Sequence, residues 1–279
     1  MPDDLEFAFD PVLRLSDTAS VRYETIGLAI VLFVGLLLLA WRASRVPGLR
    51  IDDLVFIVVG SVPGAIFGGR LGYVLDHLEF YRANPNAVLD PAQGGLSLTL
   101  AVPFGLLTGA AIAYLLGAPT GRWLHAAALP LLFVLSAGKL IGVLGGSGQG
   151  LPTDLDWATS FVGPGPWGSL AANVPSHPSQ VYEAIGVVIA VAVLASLAWL
   201  PPFQRGNGTA LFAALGLWAV ARFAAASTWR DPVTVGSFRV EQMLLMAVMV
   251  VAVTGFLLRA RARHQVADPA TADIEVQPI

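Results

Sequence analysis

Seven long apolar stretches, separated by short polar or glycine-rich ones, set the pattern of this chain. They fall near residues 25–41, 54–75, 94–116, 123–146, 180–200, 207–226 and 239–260. As a helix, each is long enough to cross a hydrocarbon core of about 30 Å, which takes roughly 17 to 25 residues. The pattern predicts an all-α, polytopic integral membrane protein with seven transmembrane helices. The fourth stretch has the least distinct end, because it dissolves into Gly145-Gly146-Ser147-Gly148. Between the second and third, residues 76–93 carry His77, Glu79, Tyr81 and Arg82 in an amphipathic pattern, and predict a segment lying in the interface. The division that follows is an outer N-terminal segment at 1–24, a single transmembrane domain at 25–262 with an outer loop at 147–179, and a polar, disordered cytoplasmic tail at 263–279.

Seven spans place the two ends on opposite sides, and the cations choose which. Arg42, Arg45, Arg50, Arg122, Arg205, Arg259, Arg261 and Arg263 fall on one side; Arg14, Arg22, Arg82, Arg230 and Arg239 fall on the other. The positive-inside rule then puts the N-terminus outside and the C-terminus in the cytoplasm. The outer loop 147–179 holds no Lys or Arg, which agrees. The first residues hold Asp3, Asp4, Glu6, Asp10 and Asp17, unlike the positive start of a cleavable signal peptide, so the first helix is expected to be retained.

Composition narrows the chemistry. The chain is 56% hydrophobic and 13% charged, with a mean hydropathy of +0.70, which a soluble domain of this length would not show. There is no cysteine, so disulfides, thiolate metal sites and a cysteine nucleophile are excluded. The histidines are scattered at 77, 125, 177 and 264 without metal-ligand spacing, so no metal is expected. A net charge of −3 gives no sign of a nucleic-acid partner.

Three cations, Arg70, Lys139 and Arg222, lie within predicted spans. A charge at the bilayer centre costs about 2.5–3.5 kcal/mol by insertion scales. Such residues either face a polar cavity or partner, or snorkel to a headgroup from near a helix end. Gly68 and Gly72 flank Arg70, and Gly138 and Gly142 flank Lys139. These glycines fit close helix packing, and would also leave room for a bulky lipid. Arg70 and Tyr73 share a helical face, as do Gln180 and Glu183. The densest polar cluster is His177-Pro-Ser-Gln-Val-Tyr-Glu183, at the mouth of the fifth span. A histidine just before a helix serves as a cap more often than as a base.

In order, FGGRLGYVL at 67–75, QGGLS at 93–97, the Gly138-Lys139 segment with GLPTDLDW at 150–157, HPSQVYE at 177–183, and the run from Arg222 to Arg230 resemble prolipoprotein diacylglyceryl transferases. The resemblance spans roughly residues 20 to 262, and HPSQVYE is its most specific element. It implies transfer of a diacylglyceryl group from phosphatidylglycerol to the lipobox cysteine of a lipoprotein signal peptide, in the bacterial cytoplasmic (inner) membrane. It also implies that Arg70, Lys139 and Arg222 hold the phosphate, that Tyr73 belongs to the site, and that Arg230 or Arg239 shapes an outer gate. His177, positioned by Glu183, would be the imidazole nearest the thiol.

The chain departs from that family pattern at polar positions. Thr99 stands where the pattern has a catalytic His, Lys139 where it has an Arg, and Gly142 where it has an Asn. Gly145-Gly146-Ser147 replaces Asn-Gly-Glu, Ala226 replaces a Glu four residues after Arg222, and Ile26 replaces a Tyr. Two readings stay open: an active transferase, and a non-catalytic relative that binds anionic phospholipid or a signal peptide. A small transporter or channel fits the composition, but no internal repeat or pair of broken helices supports it.

Overall fold

The computed structural model describes residues 5–261 except Asp17, Pro91 and Gln93; the expected tail at 263–279 lies outside the described residues. Seven helices are long and apolar enough to cross a membrane: α1 (Tyr23–Ser44), α2 (Ile51–Asp76), α4 (Leu98–Leu115), α5 (Thr120–Ile141), α6 (Ser179–Leu197), α8 (Thr209–Ala226) and α9 (Val240–Arg261). The protein is a multi-pass, all-helical membrane protein. Two short helices, α3 (Leu78–Ala83) and α7 (Pro201–Gln204), occupy connections.

The spans match the apolar pattern to within a few residues, and the differences have local causes. The helix α4 starts at Leu98 rather than near 94 because Gly94 takes a left-handed conformation (φ +101°), with the Tyr73 ring lying where a side chain would be. The end of α5 tightens into a 3₁₀ turn at Gly142–Gly145, closed by Gly146 at φ +70°. The interfacial segment is the short α3 followed by a second 3₁₀ turn at Pro85–Val88.

In lipid, apolar burial gives helices little reason to associate, so close backbone packing has to do it. The α2–α4 pair is a glycine seam. A Cβ on Gly68 would run into the Leu100 carbonyl, and one on Gly72 would stand 2.8 Å from Ser97 Cβ. From the other side, Gly105 and Gly109 face Ala65 and Ser61 of α2. Close packing therefore explains Gly68 and Gly72, whereas Gly138 meets only Leu28 at 3.6 Å and borders a cavity.

The helix α8 is the centre of the bundle. More than half of it (56%) is buried, against 17% for α1 and α9. Ala214, Leu215 and Trp218 of α8 pack with Leu132 of α5, Val187 and Ala190 of α6, and Leu245 and Val248 of α9. The outward positions of the spans, such as Phe33, Val59, Leu107 and Val250, stay exposed and present the apolar surface that lipid requires.

On the side where α5 ends and α6 begins, short strands cover the bundle, a feature absent from the apolar pattern. Strand β1 (Leu5–Phe7) runs parallel to β4 (Thr159–Phe161) in the loop 147–179, and β2 (Val12–Arg14) pairs antiparallel with β3 (Ser20–Arg22). The Phe7 ring stacks on Phe161 at 5.1 Å, and Trp167 packs against both Phe9 and Phe161.

The glycine seam makes a direct prediction. Gly68→Val should lower stability by about 1–3 kcal/mol through overpacking. Gly216→Ala, whose nearest neighbour lies 3.5 Å away, should fall within about 0.5 kcal/mol of the parent. Thermal unfolding of the detergent-solubilised variants checks both.

Candidate functional site

The site begins with Arg222, four residues from the end of α8 and almost fully buried. An arginine cannot shed its charge, so burial demands anionic partners. Two carboxylates supply them. Glu183 of α6 accepts from the terminal guanidinium nitrogen Nη1 with both oxygens, at 2.8 and 2.9 Å. Glu241, in the first turn of α9, accepts from Nη2 at 2.7 Å and from Nε at 3.1 Å. The same Nε donates to the Thr99 hydroxyl at 3.0 Å, and the Trp229 ring lies 4.6 Å from the guanidinium carbon.

Lys139, at the end of α5, joins through Glu183, its ammonium 3.1 Å from Oε2. Thr99 hydrogen-bonds Glu241 Oε1 while Ser97 donates to Oε2 at 3.1 Å, so the start of α4 is tied in as well. The cluster therefore holds two cations and two carboxylates, drawn from five helices, and is formally neutral. Its members differ in access: the Lys139 side chain is 25% exposed, that of Arg222 6% and that of Glu183 1%. Lys139 is the cation within reach of a ligand, and Arg222 backs it.

A cavity of about 310 Å³ opens beside this cluster, walled by Lys139, Gln180, Glu183, Arg222, Trp229 and Asp231. A second, of about 320 Å³, shares Lys139, Gln180 and Gly148 with it and runs along Leu28, Val31 and Leu135. Leu32 and Leu98 belong in turn to a third, of about 360 Å³, almost wholly apolar and set among α1, α2, α4 and α5. The charged chamber thus shares a wall with a mixed one, lined by Glu24 as well as leucines, which in turn shares a wall with the apolar one. Among the described residues no three His, Asp or Glu side chains gather as metal donors.

Of the cations expected to act together, Lys139 and Arg222 meet at Glu183. Arg70 turns elsewhere: it donates to the carbonyls of Ala87, Val88 and Asp90 at 2.5, 2.7 and 2.9 Å, with its guanidinium 5.3 Å from the Tyr81 ring. It staples the 3₁₀ turn after α3. Tyr73 stacks on His77 at 4.1 Å. Arg230 donates to the Gly150 carbonyl and the Ser176 hydroxyl, and Arg239 to the carbonyls of Asp231 and Trp229. Both hold loop backbone, and Arg230 also borders the charged cavity.

The HPSQVYE segment divides its work. His177 Nδ1 lies 3.2 Å from the Tyr182 hydroxyl, which also accepts from Trp157 at 2.8 Å. Ser179 bonds the Thr228 hydroxyl at 2.6 Å, and Glu183 binds the two cations. Gln180 stands apart: it is 2% exposed, and neither its amide nitrogen nor its oxygen has a partner.

Matching the chain against known families gives prolipoprotein diacylglyceryl transferase over residues 12–258. The chain belongs to the prolipoprotein diacylglyceryl transferase family. Relatives named phosphatidylglycerol–prolipoprotein diacylglyceryl transferase include one from Solidesulfovibrio magneticus, 36% identical over 202 residues, covering 69% of this chain and 70% of the relative. Another, from Geobacter sulfurreducens, is 27% identical over 256 residues, covering 87% and 93% respectively.

In this prolipoprotein diacylglyceryl transferase family member, two further carboxylates reach the neighbourhood of the site. Glu241 arrives at Arg222 from α9. Glu24 of α1 reaches across and accepts from the Ser147 hydroxyl at 2.8 Å. Sequence reasoning passed over both. The available signal was an acid at the mouth of an apolar span, the same signal that singled out Glu183; Glu24 and Glu241 lie in the first turns of α1 and α9.

The need for a carboxylate at Arg222, whichever helix carries it, can be tested by moving it. Glu241→Ala should destabilise the protein by about 3–5 kcal/mol, the usual cost of stripping one partner from a buried ion pair. Ala226→Glu in that background should recover a large part of the loss, because a carboxylate four residues along α8 shares the Arg222 face. Thermal unfolding of the single and double variants decides it.

Proposed function

We propose that this chain transfers a diacylglyceryl group from phosphatidylglycerol to the cysteine thiol of a prolipoprotein signal peptide, in the bacterial cytoplasmic membrane. The observation that carries the reading is the meeting of Lys139 and Arg222 in the wall of a chamber that leads, through a second one, to an apolar chamber. Anionic headgroup and acyl chains need those two environments connected. In this reading the N-terminus and the loop 147–179 face outward and the C-terminus faces the cytoplasm, as the arginine distribution implies.

The phosphodiester sits on Lys139 and draws on Arg222. Because Arg222 already spends its donors on Glu183 and Glu241, an arriving phosphate competes with a carboxylate for it. A carboxylate displaced in a low-dielectric site gains proton affinity. We assign the thiol proton to Glu183, which bridges both cations, and assign His177 to holding Tyr182. The thiolate then attacks the glyceryl carbon next to the phosphate oxygen. The carbon–oxygen bond breaks with its electron pair going to the phosphate, and glycerol phosphate leaves with one more negative charge. Lys139 and Arg222 stabilise that charge as it develops, and the proton passes from Glu183 to the departing phosphate. Arg70, Arg230 and Arg239 act on this site by fixing the backbone around it.

A second reading, lipid binding without transfer, is favoured by one observation: the two cations are already neutralised by two carboxylates. Expression in cells depleted of their own transferase separates the two. The transferase reading expects restored lipoprotein modification. It further expects Lys139→Ala to cut transfer by two or more orders of magnitude, and Lys139→Arg, which regains the bidentate fork, to raise kcat/KM several-fold. Correct membrane insertion with no modified lipoprotein would leave the binding reading.

A further inference from the structure

Gln180 is the one buried group in HPSQVYE whose chemistry is unspent. The residue forms part of the wall of both the charged chamber and the chamber that leads to the apolar one, beside Lys139 in each. It is 2% exposed, and Nε2 and Oε1 both lack a hydrogen-bond partner. Buried side-chain amides normally have partners, because leaving them unmade costs free energy. Gly148 stands opposite at φ +81°; a Cβ built there would lie 3.3 Å from the Gln180 Cβ and 4.0 Å from Oε1.

The amide offers donors and an acceptor together, which limits what can satisfy it. A phosphodiester or an ester carbonyl only accepts, and would leave Oε1 unmet. An ammonium headgroup only donates, and would leave Nε2 unmet. A vicinal diol does both: one hydroxyl donates to Oε1 while its neighbour accepts from Nε2. A phosphodiester on Lys139 carries the diacylglyceryl group on one side and the headgroup on the other, and of these only the headgroup of phosphatidylglycerol has free hydroxyls.

We infer that Gln180 recognises the vicinal diol of a glycerol headgroup and so favours phosphatidylglycerol over anionic phosphodiester lipids whose headgroup carries no hydroxyl. The inference rests on the lipid reading proposed above, and adds the residue that sets headgroup choice. A small side-chain torsion swings the amide onto the diol, exchanging two unmade hydrogen bonds for two made ones. Lys139 and Arg222 supply affinity for the charge, which every phosphodiester shares; Gln180 supplies the difference between headgroups.

The test compares short-chain phosphatidylglycerol with phosphatidylethanol of the same acyl chains. The two carry the same charge, and only the first has hydroxyls. Binding to the purified, detergent-solubilised protein is measured for the parent and for Gln180→Met, which keeps size and removes the amide. The parent should bind phosphatidylglycerol about tenfold more tightly than phosphatidylethanol, the range of one or two net hydrogen bonds. The variant should bind both at the weaker affinity. Lys139→Ala should weaken both lipids alike. Equal binding of the two lipids by the parent overturns the inference even if the variant fails to fold, as does an equal loss for both lipids in Gln180→Met. Either result leaves the transferase reading standing if cysteine peptides are still modified. A parent that binds neither lipid and modifies no peptide overturns both.

Discussion

A permanently charged guanidinium buried among helices is the constraint on which this structure turns. Arg222 lies in the most buried span, and its charge can persist there only if anions come to it. Glu183 and Glu241 do so from α6 and α9, Thr99 approaches from α4, and Lys139 from α5 through Glu183. Satisfying one cation thus fixes the relative positions of five helices at one end of the bundle. The glycine seam between α2 and α4 and the alanine-rich face of α8 bring the backbones close enough for short contacts such as these. Packing sets the distance and the charges set the register.

Much of the fold was legible in the sequence, because lipid imposes one simple rule. A spanning helix must be apolar over its length, so hydropathy alone located all seven. The short strands were not legible. Leu5–Phe7 and Thr159–Phe161 are three residues each, and pair across a separation that no local pattern reports. The site was half legible. Lys139, Arg222 and Glu183 drew attention as ionisable groups in apolar surroundings, and they are in contact. Arg70, Arg230 and Arg239 drew attention for the same reason, yet hold main-chain carbonyls. A sequence names the cation and leaves the carbonyl anonymous, so a ligand-facing arginine and a loop-holding one look alike.

Glu24 and Glu241 show a further limit of reading position by position. Read along the sequence, Ala226 and Ser147 offer no carboxylate to the donors near them. In space, Glu241 reaches Arg222 from α9 and Glu24 reaches Ser147 from α1. The physical requirement is negative charge within hydrogen-bonding distance of a particular donor, and any helix that passes close enough can provide it. Thr99 fits the same account: its hydroxyl bridges Arg222 and Glu241, completing the pairing.

The parallel pairing of β1 with β4 has a consequence for how the protein is made. Leu5–Phe7 leaves the ribosome first, whereas its partner Thr159–Phe161 follows only after α1, α2, α4 and α5 have been synthesised. Until then the first strand has no edge to pair with and Phe7 has no Phe161 to stack on. The chamber's loop residues Gly148, Gln149, Ser169 and Leu170 in turn precede α6, α8 and α9, which carry Glu183, Arg222 and Glu241. Synthesis therefore supplies the loop wall of the site before most of its charges, and the buried pairs close only when the last helices arrive.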